Sequence, residues 1–154
     1  MKLYHYACWN GLAIWNERVL KPSRFYGRYT DQSRMWPKLV FLTKNDFWEP
    51  SIQAITAEGD WIKGPSDPMK YVKQGIPCWR FTVEVKEPLV KLHYAHPLWE
   101  TMLNDAKDLG AQLQNWHWTT KELRIEEAIK YETTTTGVLV RRGVPLGLHK
   151  GRTL

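Results

Sequence analysis

The sequence predicts a fold of the α+β class, and three stretches carry that prediction. Lys2 to Ala7 alternates as a strand does, with Leu3, His5 and Ala7 on one face and Tyr4 and Tyr6 on the other. Leu39 to Thr43 is a run of five strand-favouring residues without polar alternation, the pattern of a strand buried on both faces. Cys78 to Val85 alternates again, placing Trp79, Phe81, Val83 and Val85 inward and Cys78, Arg80, Thr82 and Glu84 on the opposite face.

The connecting stretches supply the helices. Asn10 is a helix-capping residue, Leu12, Trp15 and Val19 form an apolar stripe after it, and Lys21-Pro22 ends the helix. No periodicity appears from Lys21 to Trp36, where Arg24, Arg28 and Arg34 alternate with Phe25, Tyr26 and Tyr29. A loop of that length is uncommon in a compact domain unless it binds something, and arginines among aromatics suit phosphates and flat rings. A solvated loop is the competing reading.

The central strand leads into Thr43, Asn45 and Asp46, which can accept from free backbone N–H groups, and into Pro50, which suits a first helical position. A strand–loop–helix joint is expected there, with Trp48 and Glu49 at the turn. Such joints often carry ligands in mixed α/β proteins, although an ordinary structural joint has the same signature.

Gly59, Gly64-Pro65 and Asp67-Pro68 mark turns, and Pro88 separates the Cys78 strand from another at Leu89 to Tyr94. His96-Pro97 opens a helix with Leu98, Met102, Ala106 and Leu109 on one face, closed by Gly110. Trp116 to Thr119 and the stretch Arg124 to Glu132 read as further strands, the latter with a helical alternative. After Thr133 to Thr136 and Gly137, a last strand is expected at Val138 to Val140. The domain is therefore drawn over residues 1–140, and residues 141–154 are a basic tail containing Arg141, Arg142, Lys150 and Arg152.

Composition narrows the function. A chain of 154 residues with 43% hydrophobic residues has one domain's length and the means to bury a core. No apolar run approaches a membrane span, so a membrane partner is not expected. Two cysteines, Cys8 and Cys78, form no disulfide framework and fit a reducing, cytoplasmic setting. The net charge of +6 favours a polyanionic or phosphate-bearing partner, and nine tryptophans supply flat surfaces that stack on bases. A tryptophan-rich core with a soluble surface accounts for the same numbers.

Chemical motifs exclude several classes. His5 and Cys8, and likewise His93 and His96, stand three apart, but neither pair has the flanking CxxC of a structural zinc site, so no metal is expected. There is no phosphate-binding glycine loop, and Ser23, Ser33, Ser51 and Ser66 lack a nucleophile elbow.

Two blocks together resemble a known class. LYHYACWNGLAIWNERVLKPS, Leu3 to Ser23, is similar to the opening of small bacterial and phage proteins. VFLTKNDFWEPS, Val40 to Ser51, is similar to their second block, and CWRFTVEV and NWHWTTKELRIEEAI resemble their later strands. Those proteins look like compact relatives of the ADP-ribosyltransferase fold, the scaffold of DarT-like toxins and RNA 2′-phosphotransferases. The resemblance implies split antiparallel sheets with a few flanking helices, and NAD as substrate.

It further implies that His5 holds the NAD ribose and that Tyr6 and Trp48 meet the nicotinamide ring. Thr43, Trp118 and Thr119 join the nucleotide contacts, and Arg80 or the Arg24–Arg34 loop clamps the pyrophosphate. A late-strand glutamate should stabilise the oxocarbenium-like transition state. Here the late strand reads Gln114-Asn115-Trp116-His117-Trp118, without one. Glu49 and Glu122 are the substitutes, and His5 and Glu49 are the catalytic candidates. Two expectations follow: an ADP-ribosyltransferase-like enzyme modifying nucleic acid or a nucleic-acid-associated protein in a phage or bacterial conflict, or a non-catalytic nucleotide- or nucleic-acid-binding protein that inhibits a host or defence factor.

Overall fold

The computed structural model describes residues 1–23, 38–86 and 97–147. The chain is α+β, with a six-stranded antiparallel sheet, a two-stranded ribbon and short helices around them. Its strands are β1 (Lys2–Ala7), β2 (Val19–Leu20), β3 (Val40–Thr43), β4 (Cys78–Glu84), β5 (Trp116–Thr119), β6 (Leu123–Arg124), β7 (Glu127–Thr133) and β8 (Leu139–Val144). The large sheet runs β5-β3-β1-β4-β7-β8, and β2 pairs with β6 in the ribbon. The expected strand at Leu89 to Tyr94 lies outside the described residues.

Both faces of the sheet are covered, which explains the composition of β4. Leu3, Ala7, Leu42, Trp79, Phe81 and Val83 pack on one face, beneath Ile14 and Trp15 of α1 (Gly11–Glu17) and Leu20 of the ribbon. On the other, Tyr6, Cys78 and Tyr131 meet Trp48, Ala54 and Ile62 of the long 44–67 connection and Tyr71 of α2 (Pro68–Lys73). Cys78, Arg80 and Thr82, expected on the non-core face of their strand, are therefore buried too. A third core forms where α3 (Pro97–Asp108) sets Met102 and Ala106 against Leu39, Trp116 and Trp118. The side chain of Leu98 in its predicted stripe is outside the described set.

Three expectations require correction. The helix after the central strand is absent: residues 44–67 form turns and extended chain. Local side chains capture the backbone instead, since Thr43 Oγ1 accepts from Asn45 N–H and Glu49 Oε1 accepts from Ser51 N–H. Such bonds compete with helical ones, and a residue preceding proline, here Glu49, is turned away from the helical region. The first helix is shorter than expected, because Arg18 takes the left-handed conformation and Val19 enters β2. Leu12 of its predicted stripe points outward, whereas Trp15 packs on the core as expected, with Ile14 beside it.

The last strand is longer than predicted. Thr134 and Val138 close a turn through Thr134 N–H to the Val138 carbonyl, with Gly137 at φ +83°. β8 then pairs with β7 from Thr133↔Leu139 to Ala128↔Val144. Arg141 and Arg142, assigned to a tail by their charge, are strand residues; Lys150 and Arg152 lie outside the described residues.

Candidate functional site

The site is built where two strands separate. β1 pairs with β4 along six positions, but with β3 at a single one, Tyr4↔Thr43. β3 stays in register with β5 over four positions. Beyond the Tyr4–Thr43 position, the His5 imidazole bridges the gap, its Nδ1–H donating to the Phe41 carbonyl at 2.8 Å. Burial holds the His5 pKa below its ordinary value, with the Phe41 bond acting in the opposite direction. His5 is thus neutral at pH 7, and Nε2 carries the lone pair.

A cavity of about 230 Å³ lies in this region, walled by β1, β3 and β5, by residues 49–53 and by Met102 of α3. That is below the 300–1,000 Å³ typical for drug-sized ligands and leaves room for about one ring or sugar. His5, Tyr6, Thr43 and Glu49, all singled out by sequence, line it. So do Tyr4, Phe41 and Trp116, with the Phe41 and Trp116 rings edge to face at 5.9 Å. Glu49 is the one formally charged side chain among the described residues of this lining once His5 is neutral.

The Glu49 carboxylate is buried and held on both oxygens. Oε1 accepts from Ser51 Oγ–H at 2.7 Å and Ser51 N–H at 3.2 Å. Oε2 accepts from the Trp116 indole at 3.1 Å and, at 3.5 Å, from the Asn45 amide. The Trp116 bond carries the carboxylate to the start of β5, the strand that has no glutamate of its own. Asn115, next to it, spends its side-chain N–H groups on Asn45 Oδ1 and Gln112 Oε1.

Backbone carbonyls tie the segment before Glu49 to the sheet. Tyr6 donates its hydroxyl to Asn45 O, Arg80 and Arg141 both donate to Asp46 O, and Tyr131 donates to Phe47 O. Burial raises the Tyr6 pKa and pushes that of Tyr131 up to about 12, so both hydroxyls remain donors at any physiological pH.

The other predicted residues lie elsewhere. Trp48 is packed among Tyr6, Tyr71 and Tyr131, its indole N–H on Ser66 Oγ at 3.0 Å, and it does not line the cavity. Arg80 is buried against Glu127 at 3.0 Å, with its guanidinium 4.6 Å from the centre of the Tyr4 ring. Its two terminal nitrogens donate to Asp46 O and Glu127 Oε1, and Nε is buried without a partner. Trp118 and Thr119 belong to the buried β5 region; Trp118 packs edge-on to Phe41 at 6.1 Å, and Thr119 Oγ1 accepts from Lys121 N–H. Arg24, Arg28 and Arg34 lie outside the described residues.

Sequence reasoning missed Ser51, Phe41, Trp116 and Met102 as parts of the site. Ser51, two residues after Glu49, had a local signal as the partner of a side-chain turn. The other three depend on strand pairing and helix docking, which no local pattern encodes. No family model matches the chain, and no curated protein or solved structure matches it.

Proposed function

We propose that the cavity between β1, β3 and residues 49–53 is a nucleotide site and that the chain is an ADP-ribosyltransferase-like protein using NAD. The observation that carries this reading is the meeting of the His5 imidazole and the Glu49 carboxylate on the walls of one small cavity. His5 holds a ribose hydroxyl through Nε2, and the Tyr4, Phe41 and Trp116 rings accommodate the nicotinamide. As nicotinamide departs with the glycosidic electron pair, positive charge grows on the ribose. A buried carboxylate already oriented by Ser51 and Trp116 offsets that charge without reorganising. Support for Glu49 in this role comes from its bond to Trp116 on the strand where the resemblance expects a glutamate.

The target that attacks the ribose is a nucleic acid or a nucleic-acid-associated protein, a reading supported by the net charge of +6. A phage or bacterial conflict is the proposed setting. Incubation with NAD and DNA, RNA or cell extract should release nicotinamide and label a target. Glu49→Gln should reduce that turnover by roughly 10²–10³-fold. Absence of both release and transfer across all three targets would overturn the enzymatic reading.

A second reading has its own support: both Glu49 oxygens are occupied by protein donors, and Arg80 is committed to Glu127 and Asp46. A non-catalytic binder that inhibits a host or defence factor would use the same cavity, or its basic surface. NAD would then quench tryptophan fluorescence without nicotinamide release, and nucleic-acid binding would weaken steeply with added salt.

A further inference from the structure

The two cysteines, seventy residues apart in sequence, stand side by side in the fold. β1 and β4 are antiparallel with Ala7 opposite Trp79, so the next rung sets Cys8 opposite Cys78. Ala7 and Trp79 point into the core beneath α1, which turns both thiols to the other face of the sheet. There they share one cluster with Tyr6, Trp48 and Tyr71. Cys78 Sγ–H reaches the Ile76 carbonyl at 3.7 Å. Directly opposed cross-strand residues have Cβ atoms about 4.5–5.5 Å apart, and a disulfide requires about 3.5–4.5 Å. Closing the difference takes a small contraction at the end of β1, where the chain is already leaving the strand for α1.

We infer that Cys8 and Cys78 are a reversible dithiol–disulfide pair, reduced at rest and closed by a peroxide. The two thiols differ in access: Cys78 is fully buried, and Cys8 is 7% exposed at the strand terminus. That access makes Cys8 the sulfur that meets the oxidant first, and the neighbouring Cys8 thiol and burial both raise the Cys78 pKa in the same sense. The Cys8 thiolate attacks a peroxide oxygen, giving a sulfenic acid and one water, which carries away the Cys8 proton. The Cys78 sulfur then attacks the Cys8 sulfur, forming the S–S bond and expelling hydroxide, which leaves as a second water with the Cys78 proton. Both sulfurs are oxidised and the peroxide is reduced to two waters.

The bond clamps β1 to β4 immediately after Tyr6 and closes a chain loop of about seventy residues, so its main effect is on unfolding. The test treats reduced full-length protein with hydrogen peroxide and then alkylates it in denaturant. The expected product has lost two hydrogens by intact mass, has no alkylatable thiol and yields one peptide linking Cys8 to Cys78. Its thermal midpoint should rise by roughly 10 °C and return to the starting value with dithiothreitol. Cys8→Ser should leave Cys78 alkylatable and abolish the rise. Two free thiols after peroxide, a sulfinic acid on Cys8, or a disulfide between two chains would each overturn the inference, and the wild-type peptide map decides this even if the variant folds poorly.

Discussion

Replacing Glu49 with glutamine tests the site where sequence, fold and chemistry meet. The carboxylate receives Ser51 on one oxygen, and Trp116 and Asn45 on the other. A glutamine amide can keep the Ser51 bonds through its oxygen, but its NH₂ then faces the Trp116 N–H, donor against donor. A hydrogen bond to a charged group contributes about 1.5–3 kcal/mol, and a buried donor left without an acceptor costs about 1–3 kcal/mol. Glu49→Gln should therefore lose roughly 2–3 kcal/mol, a midpoint drop of roughly 4–12 °C at this chain length, and remain folded at 25 °C. Trp116→Phe removes the donor and keeps most of the ring. In the double variant the donor clash is gone, so its loss should fall short of the summed single losses by about 1–2 kcal/mol. Urea denaturation followed by far-ultraviolet circular dichroism measures all four corners of the cycle. Additive losses would show that the indole and the carboxylate do not interact, and with that the orientation argued for Glu49 would fail.

Three further outcomes follow from the packing and electrostatics. Gly11→Ala should destabilise the fold by roughly 1–3 kcal/mol despite alanine's better helix propensity, because its Cβ would collide with Trp79 Cδ1 and the Trp79 ring is stacked on Phe81 at 5.6 Å; unchanged urea stability would refute the close approach. His5 is neutral in the fold and protonates near pH 6.5 when unfolded, so the unfolded state binds more protons below that pH. Stability should be lost as pH falls from about 6.5 through the lower native value, by at most about 1.4 kcal/mol per pH unit, and His5→Gln should flatten that part of the profile in urea melts between pH 7.5 and 5. Arg80→Met should cost about 2 kcal/mol because Arg80 is buried, and Glu127→Gln under about 1 kcal/mol because the Glu127 side chain is 55% exposed; equal losses in thermal melts would refute that asymmetry.

Where one residue's environment depended on its sequence neighbours, the sequence was legible. The alternation of Lys2 to Ala7 and the unbroken Leu39 to Thr43 run both correspond to strands, β1 and β3, because burial on one or two faces is written into residue choice. The Asn45–Pro50 stretch misled because its capping residues are used for turns. Thr43, Glu49 and Ser51 satisfy the backbone locally, and Trp48 is claimed by the sheet beneath. Charge misled at Arg141 and Arg142, since an edge strand tolerates exposed arginines as readily as a tail does. His5 and Glu49, both singled out by residue type, line one cavity, whereas Trp116 became their neighbour only through the β3–β5 register.

A crystal structure of the protein soaked with NAD tests the proposed nucleotide site most directly. Electron density for a ring or ribose is expected inside the cavity, within hydrogen-bond distance of His5 Nε2 and beside the Glu49 carboxylate. An empty cavity at saturating NAD, or the nucleotide bound elsewhere on the surface, would contradict it.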